Sequence, residues 1–279
     1  MWVLAGACCA PAQETHVTTD PVLPPAPAGY VLVWEDDFNG PTLDPVNWQA
    51  VQHGDVDNGE LQFYTDRPEN VSVSNGCLRL TARRETYTGT GPWMKGKTRS
   101  SEYTSGKVQT LGRKTFRYGR IEARIQLPRG AGTWPAFWML GANLFEPGIG
   151  WPLCGEIDIL EHSHTLNAVS AAVHTGAYNH RNDKHKIQYH PIADYDTAFH
   201  VYGMDWTPEK LAFHVDGHVF FTVTKAELGD SPAQWPFDQP FWLILNLAVG
   251  GHLGGDPSAG AYPYAMQIDW VRVHQKAVN

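Results

Sequence analysis

The sequence predicts an all-β chain folded as an antiparallel sandwich or barrel. Three observations predict it: turn dipeptides recur at short intervals, the runs between them alternate with a two-residue period, and no segment carries three turns of amphipathic helix. The turn signals are Asn39-Gly40, Asn58-Gly59, Asn75-Gly76 and Asp216-Gly217, all of the type that closes a two-residue hairpin. The alternation is clearest over residues 119–127. Ile121, Ala123, Ile125 and Leu127 share one face there, and Arg120, Glu122, Arg124 and Gln126 the other. Residues 213–221 read as a hairpin around Asp216-Gly217, and residues 241–249 and 266–273 read as two more strands.

The chain has 279 residues, 42% hydrophobic and 18% charged, which is enough for one large domain with a real core. Its formal net charge is -8, and Lys and Arg form no cluster beyond short pairs such as Arg83-Arg84 and Arg113-Lys114. A nucleic-acid partner or a strongly sulfated or phosphorylated substrate would call for clustered basic groups, so a neutral substrate fits better. Eleven Trp, eleven Tyr and eleven Phe serve a core, and also suit the flat C–H faces of sugar rings.

Residues 1–9 are apolar and end in small residues, as in a residual secretory signal. Ala5-Gly6-Ala7-Cys8 is also similar to a lipoprotein attachment site. Residues 10–29, with five Pro, read as a linker. Residues 30–279 read as one domain, with an apolar run opening it at Val31-Leu32-Val33-Trp34. From Pro11 onward no stretch is apolar and long enough to span a membrane. The expected location is secreted or extracellular, with lipid anchoring open. Cys77 and Cys154 are expected as separate buried thiols rather than a disulfide.

The most informative segment is Gly155-Glu156-Ile157-Asp158-Ile159-Leu160-Glu161-His162. It alternates like a strand with one wet face, which places Glu156 and Asp158 together and would turn Glu161 into the core. A buried, unpaired carboxylate is costly. A one-residue β-bulge between Asp158 and Glu161 brings Glu161 back to the wet face. Glu156 and Glu161 are then four strand steps apart, roughly 13 Å at Cα. Their side chains can close this to about the 5–5.5 Å of a retaining glycosidase. On this reading Glu156 is the nucleophile, Glu161 the general acid and then base, and Asp158 orients Glu156 by sharing a hydrogen bond. Three acids in six residues also describe a solvated acidic face. A hard-cation site is a weaker reading, because His162 and His164 would point in mixed directions.

These residues resemble the bulged catalytic motif of glycoside hydrolase family sixteen, Glu-x-Asp-x-x-Glu, in its laminarinase branch. The likeness continues in order through residues 34–40, 58–65, 69–71, 132–140, 243–251 and 268–273, covering about residues 30–275. The resemblance implies a β-jelly-roll of two curved antiparallel sheets with a concave cleft, and endo-acting hydrolysis of β-1,3-glucan with no cofactor needed for catalysis. By position it implies substrate contacts at Asn58, Glu60, Trp134, Trp138, His174, Gln239 and Asn246. It also implies a structural Ca²⁺ on the convex side, held by the Asp269 carboxylate with backbone oxygens near Asp37 and Gly76. Asp37 stands where relatives often have Glu, and the polar segment 177–186 is expected to reshape the product side of the cleft. The expected partner is a polysaccharide and the expected state a monomer. The alternatives are a mixed-linkage β-1,3-1,4-glucanase, an agarase- or carrageenase-like galactanase, a non-catalytic glucan-binding module, and transglycosylation from the same intermediate.

Overall fold

Short runs of β-branched and aromatic residues, broken by turn residues, become strands throughout the computed structural model, which describes residue 25 and residues 28–54 and 57–277. The segments expected as signal and most of the linker, with Cys8 and Cys9, lie outside the described residues. The strands are β1 (Tyr30–Asp36), β2 (Gln49–Ala50), β3 (Gln62–Tyr64), β4 (Val71–Ser74), β5 (Cys77–Gly89), β6 (Arg99–Ser105), β7 (Lys107–Gln109), β8 (Gly119–Gln126) and β9 (Thr133–Gly141). They continue as β10 (Glu156–His162), β11 (Ala168–His174), β12 (Lys186–Pro191), β13 (His200–Trp206), β14 (Lys210–Val215), β15 (His218–Thr224), β16 (Phe241–Val249) and β17 (Tyr264–Lys276). Helical segments among the described residues are single turns of three or four residues.

Two sheets result. One runs β15-β14-β13-β8-β17-β5-β6-β3, with β1 added beside β17 and β4 beside β5; the other runs β12-β11-β10-β9-β16-β7-β2. One cluster of buried side chains joins them, with Ile121, Met204 and Phe213 from the first sheet meeting Phe137, Ile157 and Leu245 from the second. The predicted alternation of β8 holds on its apolar side, where Ile121, Ala123, Ile125 and Leu127 are buried. Its charged side is not simply wet: Glu122 and Arg124 are also buried, and Arg124 Nη1 donates to Asp269 Oδ2 on β17 at 2.6 Å.

The turn dipeptides divide. Asn75-Gly76 closes β4 on β5, and Asp216-Gly217 closes β14 on β15, each with both residues at positive φ, as a hairpin turn of this type needs. Asn58-Gly59 makes the same positive-φ turn but leads a loop into β3. Asn39-Gly40 lies in the loop after β1 and closes no hairpin. The local signal reports backbone conformation, while strand pairing on either side depends on distant partners. The opening apolar run Val31-Leu32-Val33 is about half exposed; Trp34 alone of that run packs against the buried cluster. Cys77 and Cys154 are free thiols, Cys154 buried and Cys77 only partly so.

Candidate active site

The outward face of the second sheet forms the floor of the cleft, and the bulge decides what stands on it. On β11, Asp158 pairs with Ala172 and Glu161 with Ser170, so three residues of β10 span two of its neighbour. The pairing with β9 slips at the same place, with Asp158 opposite Trp138 and Leu160 opposite Phe137. Ile159 and Leu160 both enter the core, and Glu161 returns to the cleft beside Glu156 and Asp158. The sequence-level conflict at Glu161 is resolved by the extra residue.

Each outer carboxylate receives an indole N–H. Trp151 Nε1 donates to Glu156 Oε2 at 2.9 Å, and Trp134 Nε1 donates to Glu161 Oε1 at 3.0 Å. His174 lies opposite Glu156 in register, with Nε2 3.7 Å from Glu156 Oε1 and 3.3 Å from Asp158 Oδ2. Asp158 is only 3% exposed, and its Oδ2 lacks a hydrogen-bond partner. The expected hydrogen bond between Asp158 and Glu156 is replaced by a shared neighbour, the His174 ring. Burial raises all three acids above the ordinary carboxylate range. Glu156 is pushed up to about 8, by burial first and then by the charge of Asp158. Asp158 is raised further by Glu161, while the Trp134 N–H and His174 hold Glu161 down against its burial. Three carboxylates this close titrate as a unit.

Around them lies a cleft of about 300 Å³. Asn58, Glu60, Trp134, Trp138 and Asn246, all expected at substrate, line it. Trp138 Nε1 donates to Asn246 Oδ1 at 2.6 Å, Asn246 Nδ2 donates to Tyr64 Oη at 3.1 Å, and Gln62 Nε2 donates to Glu60 Oε2 at 2.6 Å. Lys107 Nζ stands 5.2 Å from the Trp138 ring and 5.6 Å from Tyr64, its pKa lowered by burial. Two expected residues are placed otherwise. His174, 6% exposed, sits behind the carboxylates rather than on the cleft wall. Gln239 turns away: its Nε2 donates to the Cys154 carbonyl at 2.8 Å, bracing the chain just before Gly155-Glu156.

Trp151, Tyr64 and Lys107 line the cleft and were missed from the sequence, while His180 and Arg181 line it from the segment 177–186 that was expected there. Trp151 had one usable signal, its place five residues before Glu156. Its contact depends on the turn Gly150–Leu153, whose shape the residues alone do not specify. Lys107 and Tyr64 come from strands far along the chain and meet only through sheet packing.

Neither metal reading gains from the geometry. Oxygens of Glu156 and Asp158 and a nitrogen of His174 lie within 4.8 Å of one another. The His180 backbone N–H, however, donates to His174 Nδ1 at 3.3 Å, so Nε2 carries the ring proton and offers the carboxylates an N–H rather than a lone pair. On the convex side, Asp269 is already neutralised by Arg124, and the Asp37 carboxylate is held by Asn39, whose Nδ2 donates to Oδ2 at 2.7 Å. Asn39 Oδ1 also lies against Gly76. A guanidinium beside the main carboxylate opposes a second cation.

A bulged strand carrying three cleft carboxylates, on a sandwich of two sheets, can be compared with known proteins. The model of the glycosyl hydrolases family 16 matches residues 58–272. The chain belongs to that family. This family 16 chain is 41% identical to a Beta-glucanase of Rhodothermus marinus over 256 residues, covering 88% of the chain and 85% of that protein. It is 35% identical to Glucan endo-1,3-beta-glucosidase A1 of Niallia circulans, covering 90% of the chain but 39% of that longer protein. Among solved structures, the laminarinase from Rhodothermus marinus superposes with a TM-score of 0.81 at 39% identity, over 89% of this chain and 98% of that one. The fold is the family's β-jelly-roll, as the sequence resemblance implied, and the chain is a glycoside hydrolase.

Proposed function

We propose that the chain is a retaining endo-β-1,3-glucanase acting on laminarin-like glucan. The observation that carries the reading is the bulge in β10, which sets Glu156 and Glu161 on the cleft floor on either side of Asp158. Glu156, faced by the Trp151 N–H and by His174, attacks the anomeric carbon as a carboxylate. Glu161 protonates the leaving oxygen, then takes a proton from the water that releases the glycosyl-enzyme. Asp158 is the most buried of the three and is itself raised by burial and by the charge of Glu161, so the proton that the cluster keeps rests on Asp158 when Glu156 attacks. Trp134 and Trp138 supply stacking faces, and Glu60 and Asn246 supply polar contacts. The glucanase names of the relatives support a β-1,3-glucan over a galactan, and the intact acid set supports turnover over binding alone.

Release of reducing ends from laminarin, lichenan, agarose and carrageenan, measured in parallel, tests the substrate. Release from laminarin is expected; none from laminarin removes the reading, and equal release from lichenan makes the enzyme a mixed-linkage glucanase. Azide rescue tests the roles. Glu156→Ala with azide should give an α-glycosyl azide, and Glu161→Ala with azide a β-glycosyl azide. The opposite pair of products exchanges the two roles.

Secretion is also proposed, resting on the N-terminal composition and tested by cell fractionation; lipidation of Cys8 would place the chain on a membrane surface. No helix among the described residues is long and apolar enough to cross a membrane. A monomeric state is proposed as well and is read by light scattering.

A further inference from the structure

We propose that the turn at residues 179–183 is a positioning element for the Glu156 side of the cleft. It sets the His174 tautomer through its backbone and steadies Trp151 through Arg181 and His180. The proposal rests on Glu156 being a reacting carboxylate.

The backbone link comes first. His174 ends β11, and six residues later the chain returns so that the His180 N–H donates to His174 Nδ1. A neutral imidazole has one N–H and one lone pair, so a donor at Nδ1 puts the proton on Nε2, which faces Glu156 and Asp158. The other tautomer would set a lone pair against two carboxylates and an N–H against an N–H.

The side chains act on Trp151. Arg181 Cζ lies 4.4 Å from the Trp151 ring centroid, and the His180 ring lies 5.0 Å away. Trp151 in turn donates its indole N–H to Glu156 Oε2. A guanidinium over an indole face is drawn to the ring's quadrupole, which holds the ring in place. The turn itself is tightly tied. Asn179 Oδ1 accepts from the Arg181 N–H, Asn182 Oδ1 accepts from the Asn179 N–H, and Asn179 Nδ2 donates to the Thr175 carbonyl. Asp183 closes it in the left-handed region at φ 55°. His180 and Arg181 are exposed, so their side chains can be changed without opening the core. The charged and titratable groups acting on Glu156 are Asp158, Glu161, His174, Lys107 and Cys154.

The tests use the full chain. Imidazole ¹⁵N shifts should show His174 protonated at Nε2 in the wild type and as a mixture of tautomers in Asn179→Ala; a wild-type His174 protonated at Nδ1 overturns the backbone link. On laminarin, Arg181→Ala should lower kcat by about three- to tenfold with little change in KM, and move the acidic limb of the pH profile upward. Arg181→Lys, which keeps a cation over the ring, should restore most of the loss. In a Trp151→Phe background, Arg181→Ala should have almost no further effect; an equal loss in both backgrounds overturns the link through Trp151. If the wild type does not cleave laminarin, the proposed function fails by itself. The Trp151 indole N–H resonance still reads the positioning: its titration midpoint should rise in Arg181→Ala, and an unmoved midpoint overturns the proposal.

Discussion

Replacing Glu156 with Gln should stabilise the protein while abolishing its activity, and the gain should depend on pH. Burial, the charge of Asp158 and then that of Glu161 raise Glu156 from an ordinary 4.5 to about 8. A carboxylate with a raised folded-state pKa supports the fold fully below about pH 4.5, and that support is lost as pH rises toward 8. At about 1.4 kcal/mol per unit, the ionised form costs about 3 kcal/mol at pH 7 and about 5 kcal/mol above pH 8. Glu156 is 16% exposed, so solvent screens little of this. Glutamine keeps the shape and removes the charge. Its expected gain is near zero at pH 4 and about 3 kcal/mol at pH 7, or roughly 6–12 °C in Tm for a domain of this size. Calorimetry of both proteins at pH 4, 5.5, 7 and 8 reads the difference. A gain of equal size at pH 4 and pH 7, or a loss at pH 7, refutes the argument that buried like charges strain the site. Turnover of laminarin should fall by about 10³-fold or more in the same variant.

Three other changes test separate parts of the structure. Trp134→Phe removes the N–H on Glu161 Oε1, which favours the ionised form; the basic limb of kcat/KM against pH should move up by about 1–2 units, and an unmoved limb separates Trp134 from the acid. Asp269→Asn removes the carboxylate charge that Arg124 Nη1 donates to and should cost about 2–3 kcal/mol in chemical denaturation, whereas EDTA should leave the wild-type Tm unchanged; a fall in Tm with EDTA supports the calcium expectation. Gly155→Ala places a Cβ 2.7 Å from Pro236 at φ 79°; it should cost about 1–3 kcal/mol and shift Glu156 enough to lower kcat, and wild-type kcat in this variant would show that the chain entering β10 has slack.

The bulge was legible in the sequence because it follows from a local contradiction. A strand with period two cannot place Glu156, Asp158 and Glu161 on one face without an extra residue, and an unpaired carboxylate in the core is too costly to keep. The strands β8, β14, β15 and β16 were legible for the same kind of reason, since alternation and turn residues act within one segment. Runs that depend on remote cover were not. Val31-Leu32-Val33 has the composition of a core strand but lies half exposed, and the charged face of β8 is buried because Asp269 and His214 come to it from other strands.

The candidate site divides along the same line. The sequence by itself determined the three carboxylates and the bulge that gathers them, because these lie within a few residues of one another; Trp134 and Trp138 came with the family resemblance. Only the tertiary structure decided that Trp151 holds Glu156, that His174 stands behind the carboxylates, that Gln239 braces the backbone, and that Arg124 takes the charge of Asp269. Each of those contacts joins segments whose approach is set by loop closure and sheet packing, and the energy that selects it belongs to the assembled fold rather than to any stretch of the chain.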